Sequence, residues 1–294
     1  MNFFSAWGLP VIVAVIMFAM GLGLRPADFA AVAARPKAFL VGAAAQLLLL
    51  PILALAVIHT LGITGGLAVG FMIIAAAPGG PMSNLLTHLG HGDTALSISL
   101  TAVISMVSIL TLPLIVALAL PFFMGAAAPE LSLAGTVMTL SAMTLLPVLA
   151  GMTLRGLWPA GAIRLEPLMR RLAVGLFLLF LIAAIWLARD LVRAHLFSLA
   201  PGILLLNLSA MTAAFLIAKA ARLPPPRVIA LTIECGIQNG SLAMFVGATL
   251  LHSEAMMLPG AAYGVLMFPT ALLFVALVLR GERRLARAEA EAIE

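Results

Sequence analysis

Glu234 is the residue of this chain whose chemistry is hardest to accommodate. It stands in Thr232-Ile233-Glu234-Cys235-Gly236-Ile237-Gln238-Asn239-Gly240-Ser241, inside a long apolar stretch. Hydrocarbon solvates neither a carboxylate nor a broken backbone, so such a segment survives at membrane depth only where it lines a protein-enclosed polar cavity. No lysine or arginine lies at comparable depth in any apolar stretch, so the partner of Glu234 is a proton or a bound cation. The oxygen-bearing neighbours, with no thiolate cluster and no paired histidines, suit a hard ion rather than zinc or copper. Sodium fits and a proton is its rival. The bland alternative is a protonated Glu234 hydrogen-bonded for structural reasons alone.

A second interruption, Pro78-Gly79-Gly80-Pro81-Met82-Ser83-Asn84, sits in another apolar stretch. Two prolines remove amide donors, and two glycines permit backbone angles that other residues resist, so the helix is expected to unwind and free its carbonyls as ligands. Ser83 and Asn84 then open a second half-helix whose N-terminal dipole favours an anion. A capped, proline-kinked helix without a ligand is the competing reading.

Ser97 and Thr101 are four residues apart and share a helix face, although such hydroxyls commonly bond back to their own helix. Gln46 is a lone polar side chain in Gly42-Ala43-Ala44-Ala45-Gln46-Leu47, either interhelical glue or a ligand. Asp93 reads as the N-cap of the following helix. His59, His88, His91, His195 and His252 fall near the ends of apolar stretches without metal spacing and read as interfacial.

The elements that position these groups are membrane helices. Hydrophobic residues make up 64% of the 294, charged residues 9%, and mean hydropathy is +1.20, far from a soluble domain. Apolar blocks of about 20 residues match helical crossings, not barrel strands. The net charge of +5 comes from basic residues clustered at block ends with no interleaved aromatics, which excludes a nucleic-acid surface. The one cysteine, Cys235, can form no intrachain disulfide. Met1 to Leu24 lacks the basic head and cleavage site of a signal peptide and reads as a retained span.

The predicted fold is an all-α polytopic membrane protein with spans near 3–24, 38–59, 66–90, 95–120, 133–154, 172–188, 199–221, 228–250 and 257–279. With the N-terminus outside, Arg25, Arg35, Lys37, Arg155, Arg164, Arg170, Arg171, Lys219, Arg222, Arg227, Arg280, Arg283, Arg284 and Arg287 face inward. Only Arg189 and Arg193 of the 16 basic residues fall outside, so the positive-inside rule supports nine spans with the C-terminus in the cytoplasm. The tail, residues 280–294, reads as a solvated helical extension.

An offset of 155 to 156 residues sets Pro78 beside Glu234, Asn84 beside Asn239 and Pro113 beside Pro269. Each interrupted span is second from the end of its half, and the two run in opposite directions. This predicts an inverted repeat, four spans in residues 1–130 and five in 131–279, with broken helices at corresponding positions, the sequence sign of a transporter's midplane site.

Pro78-Gly79-Gly80 with Ser83-Asn84, then Leu96-Ser97 and Thr101, and above all Glu234-Cys235-Gly236-Ile237-Gln238-Asn239, resemble the bile acid:sodium symporter family. The opening Met20-Gly21-Leu22-Gly23-Leu24-Arg25-Pro26-Ala27-Asp28-Phe29 resembles it too. The resemblance implies a panel domain, a core domain in which the two discontinuous helices cross, and two sodium ions. One ion would be held by Ser83, Asn84, Ser97, Thr101 and Glu234. The other would use Gln46, Glu234, Gln238 and the backbone carbonyls of Cys235 and Ile237. Two departures bear on substrate: Pro81 stands where relatives often carry a small hydroxyl residue, and Met267 and Phe268 stand where some bile-acid carriers are polar.

The expected function is a sodium-coupled symporter in a bacterial-type inner membrane. It would import an organic anion, bile-acid-like or a small acid such as pantoate or a keto acid, beside Gly80, Pro81, Met82 and Asn239. A proton-coupled carrier of the same fold is the alternative, and membrane lipids are the only macromolecular surroundings expected. An intramembrane hydrolase would need a nucleophile with a base, and no histidine is spaced to face Ser83 or Ser241. A passive channel fits paired broken helices less well than alternating access does.

Overall fold

The computed structural model describes residues 7–29, 36–187 and 189–291. Residues 3–6 of the predicted opening span, Arg35 and Ile293 lie outside the described residues, as do the side chains of His195, Leu285 and Arg287. Every regular element among the described residues is helical. The helices are α1 Leu9–Gly23, α2 Pro36–Leu61, α3 Gly65–Ala76, α4 Pro81–Leu89 and α5 Thr94–Met124, followed by α6 Leu133–Leu157 and α7 Pro159–Leu187. Arg189–Ala220 forms α8, Pro225–Gly236 α9, Gly240–Leu250 α10 and Glu254–Glu291 α11.

Five segments among the described residues are long and apolar enough to cross a membrane: Pro36–Leu61, Thr94–Ala127, Leu133–Leu157, Leu199–Ala220 and Glu254–Arg284. Each buries half or less of its apolar length inside the protein, with Leu48, Leu110, Met138, Leu208 and Leu273 exposed, an arrangement that an apolar solvent permits. Helix α7 reaches back to Pro159 and α8 to Arg189, so both begin earlier than hydropathy places them. Their opening turns are amphipathic rather than apolar, and charge conceals them from a hydropathy window.

Local chemistry sets the helix ends. The Asp93 carboxylate accepts from Leu96 N at 3.1 Å as the predicted N-cap, and Ser132 caps α6 through Gly135 N at 3.1 Å. At the end of α2, Gly62 takes φ 63°, the left-handed geometry glycine adopts without strain. Pro113 and Pro269 lie within α5 and α11 as predicted. Glycines also set packing: a Cβ on Gly21 would run into the Val148 backbone and one on Gly151 into that of Phe18, so α1 and α6 touch main chain to main chain.

Helix α1 packs on α6 and α7, while α3 packs between α5 and α11 and α8 lies along α9 and α11. The largest apolar cluster fills the middle of the molecule around Phe71, Phe245 and Tyr263. A second cluster, including Phe39, Leu96, Leu100 and Leu231, closes the space between α2, α5, α8 and α9. The two interrupted segments meet against the first of these clusters, which takes in Ala77, Cys235 and Ile237.

Candidate functional site

Both interruptions are real breaks. Helix α3 stops at Ala76, Ala77 and Gly80 are extended, and α4 starts with Pro81 at its first position, where the missing N–H is no loss. Helix α9 stops at Gly236, Ile237 is extended, and Asn239 caps α10 by accepting from Leu242 N at 3.0 Å. The segments cross and bond to each other: Gly79 pairs antiparallel with Gln238, and Asn239 N donates to Pro78 O at 2.8 Å.

The reason for Gly79 differs from the one expected. Neither Gly79 nor Gly80 adopts a positive φ, so backbone freedom is not what the position requires. A Cβ on Gly79 would instead collide with the Glu234 carboxylate, and the requirement is space. Nor are all the freed carbonyls left open. Gly80 O accepts from Ser83 N at 3.0 Å and Ser83 Oγ at 2.7 Å, and Pro78 O is taken by Asn239.

Glu234 is fully buried, and among the described residues no lysine or arginine pairs with it. Ser97 Oγ donates to its Oε2 at 2.7 Å and Thr101 Oγ1 to its Oε1 at 2.5 Å. Asn84 Oδ1 is 2.8 Å from Ser97 Oγ and 3.3 Å from Thr101 Oγ1, and Ser83 Oγ is 3.4 Å from Thr101 Oγ1. The five residues Ser83, Asn84, Ser97, Thr101 and Glu234 thus form one oxygen cluster, drawn from α4, α5 and α9. Thr101 also bonds back to Ser97 O at 3.0 Å, as such hydroxyls commonly do.

On the other side of the crossing, Gln46 Nε2 donates to Glu234 O at 3.1 Å and Gln238 Nε2 to Cys235 O at 3.0 Å. Each amide is committed through its nitrogen, and the Oε1 atoms of both are buried without a hydrogen-bond partner. Such an orphan acceptor costs about 1–3 kcal/mol. Gln46 sits in a widened π-helical turn, Ala45–Leu49, of α2, a distortion frequent at functional positions. Ile237 is buried between Gln238 and Gly236 in the same break. Two unsatisfied amide oxygens beside a carboxylate, with no cluster of three His, Cys, Asp or Glu among the described residues, make a donor set for a hard cation.

A cavity of about 330 Å³ opens beside the crossing. Gly80, Pro81, Met82 and Asn239 all line it, and so do Met267 and Phe268. Asn239 is 4% exposed; its Oδ1 also accepts from Ser241 Oγ at 2.7 Å, yet its Nδ2 has no partner. The N-termini of α4 and α10 both reach this wall.

Several side chains here escape the sequence reading. His88, expected at an interface, lies in the last turn of α4 and lines the cavity. His91 Nδ1 lies 2.8 Å from Glu282 Oε2, tying the tail helix to the α4–α5 turn. Arg170, taken only as inward-facing charge, lines the cavity together with Glu166, which the sequence did not single out. Buried Asn207 donates to Gly236 O at 2.7 Å and to Tyr263 Oη at 3.0 Å and accepts from Thr270 Oγ1 at 2.6 Å, clamping the second break from α8 and α11. A lone amide in Leu204-Leu205-Leu206-Asn207-Leu208 and the only tyrosine of the chain were the available signals.

The sequence profile described as "Sodium Bile acid symporter family" matches residues 10–195. The sodium-dependent transporter YocS of Bacillus subtilis (strain 168) is 26% identical over 260 residues, covering 87% of this chain and 78% of its own. The probable sodium/metabolite cotransporter BASS2, chloroplastic, of Oryza sativa subsp. japonica is 26% identical over 252 residues, 86% of this chain; the chain spans 59% of that relative's length. The ileal sodium/bile acid cotransporter of Homo sapiens is 25% identical over 238 residues, covering 80% of this chain and 67% of its own. The profile match covers well over half of the chain, and the chain belongs to the sodium bile acid symporter family.

Proposed function

We propose that this protein is a sodium-coupled symporter that carries an organic anion inward by alternating access. Nine passes with the N-terminus outside, inverted halves at residues 1–130 and 131–279 and a cytoplasmic tail at 280–294 complete the reading. It does no covalent chemistry. The observation that carries it is the buried carboxylate of Glu234, met by the hydroxyls of Ser97 and Thr101 and by no described lysine or arginine, with the orphaned oxygens of Gln46 and Gln238 held at the same crossing. The names of the relatives, sodium-dependent or sodium-coupled, support the choice of ion.

In this reading one sodium ion takes Ser83, Asn84, Ser97, Thr101 and Glu234, and a second takes Gln46, Glu234, Gln238 and the carbonyls of Cys235 and Ile237. Glu234 touches both. The ions hold the two breaks together, and the breaks present Gly80, Pro81, Met82 and Asn239 to the cavity. Ion and substrate then stabilise one arrangement of a shared element, which is coupling in the thermodynamic sense. Pro81 offers no hydroxyl, and Met267 and Phe268 are apolar, so the substrate relies on few polar contacts: a bile-acid-like molecule or a smaller acid such as pantoate or a keto acid.

Thermal unfolding of the purified full chain against a panel of organic acids, with sodium or with choline, tests the reading. A coupled substrate stabilises mainly in sodium. Equal stabilisation in choline overturns sodium coupling, and sodium-free uptake that follows pH assigns Glu234 to a proton instead.

A further inference from the structure

The cavity wall contains a cationic group that the ion sites do not use. Arg170 lines the cavity from α7 and is half exposed. Its nearest charged partner, Glu166, is 3.8 Å away, beyond hydrogen-bond range, and its guanidinium makes no hydrogen bond to any described residue. Arg155 is differently placed. Its Nη1 donates to Leu22 O at 2.6 Å and lies 4.0 Å from Glu166, with only 12% of the side chain exposed. Arg155 is therefore committed to the end of α1, and Glu166 is shared between two guanidinium groups at long range. The three side chains together carry one net positive charge, and the open end of that charge faces the cavity.

Elsewhere the cavity is lined mainly by apolar side chains, including Met20, Ile98, Phe177 and Phe268. Its unpartnered buried polar atoms are a donor, Asn239 Nδ2, and an acceptor, Gln238 Oε1, both at the crossing. A half-exposed guanidinium with no hydrogen bond to any described residue, set among apolar walls and in a three-residue cluster of one net positive charge, selects an acceptor-rich head on an apolar body. A guanidinium binds a carboxylate through two parallel N–H···O bonds, a geometry that a 3.8 Å contact with Glu166 does not supply.

We infer that Arg170 receives the carboxylate of the substrate, and that Glu166, by cancelling one of the two guanidinium charges, restricts this site to singly charged acids. The inference deepens the transport reading and rests on it for the direction of travel only. Arg170 determines specificity for charge; Glu166 is a positioning residue that sets how much negative charge the site accepts.

The test is binding to the purified full chain, followed by thermal shift and calorimetry in sodium. The probes are octanoate, 4-phenylbutyrate and cholate, the neutral amide of each, and suberate as the doubly charged match to octanoate. At least one monocarboxylate is expected to bind while its amide and suberate do not. Arg170→Gln weakens that carboxylate by about 10- to 100-fold, and Arg170→Lys recovers part of the loss. Glu166→Gln acts in the opposite direction, tightening the monocarboxylate severalfold and admitting suberate. Opposite signs at two neighbouring residues are not the mark of a folding defect.

The inference is overturned if no probe carboxylate binds, if an amide binds as tightly as its acid, if Arg170→Gln binds like the parent, or if Glu166→Gln weakens binding. Stabilisation by sodium without any acid is measured in the same samples. A protein that answers to sodium but to no carboxylate keeps the ion reading and loses this one. A protein that binds a carboxylate through Arg170 in choline as well as in sodium does the reverse.

Discussion

Gly79 lies against the carboxylate of Glu234, on the opposite break, so closely that a Cβ would take the place of Oε1. The contact joins the two interrupted helices at the point where their backbones bond, and it makes the volume of one residue a condition for the position of the other. Gly80, one residue on, meets nothing nearer than 4.0 Å from such a Cβ.

Gly79→Ala is therefore expected to displace the Glu234 side chain and to cost about 1–3 kcal/mol, the range for overpacking a closed site. Stabilisation by sodium in a thermal melt should fall at least tenfold in apparent affinity. Gly80→Ala should keep its response to sodium. Equal behaviour of the two variants would contradict the steric account.

Glu234→Ala should abolish sodium-dependent uptake while expression and folding persist. Ser97 keeps Asn84 Oδ1 as an acceptor and Thr101 keeps Ser97 O, so few groups are orphaned by the loss. Radiolabelled uptake and size-exclusion profiles, read together, separate a lost site from a lost fold. Near-normal sodium-driven uptake refutes the assignment.

Gln46→Ala and Gln238→Ala each remove one of the two unpaired amide oxygens. Apparent sodium affinity should weaken more than maximal rate. A sodium titration of initial uptake rates that superimposes on the parent's would remove the amides from the ion site.

Asn207→Leu removes three buried or part-buried hydrogen bonds at once, to Gly236 O, Tyr263 Oη and Thr270 Oγ1, and leaves Gly236 O with only the longer 3.2 Å bond from Tyr263 Oη. A loss of about 1–3 kcal/mol is expected, seen as a lower melting temperature. Tyr263→Phe should cost less, about 0.5–1.5 kcal/mol, because Asn207 still bonds Gly236 O.

Two sodium ions moving with one monoanion carry one net positive charge inward, which contributes about 2.3 kcal/mol per 100 mV of membrane potential. Substrate-evoked inward current in proteoliposomes is the expected outcome. Electroneutral uptake of a monoanion would exclude the two-ion stoichiometry.

Most of the polar crossing was legible beforehand because lipid leaves so little room for it. A carboxylate at Glu234 and a Pro-Gly-Gly-Pro interruption are each intolerable in hydrocarbon, so their presence alone marks a protein-lined polar region. Asp93 was recognisable as a cap because capping is a local bond over three residues. The same local logic failed at Gly79, where the constraint comes from a residue more than a hundred positions away and leaves no trace in backbone preference.

The sequence by itself determined that this is a membrane chain of helices, where its charges lie, and which two segments must break, since hydropathy and backbone chemistry act over a few turns. Only the tertiary structure decided that the breaks cross and bond, that Gln46 and Gln238 spend their nitrogens and keep their oxygens free, and that Arg170 faces a cavity instead of merely marking one side of a membrane. These facts depend on which helices come to lie together. Juxtapositions between distant segments follow from packing the whole molecule at once, and no window along the chain contains them.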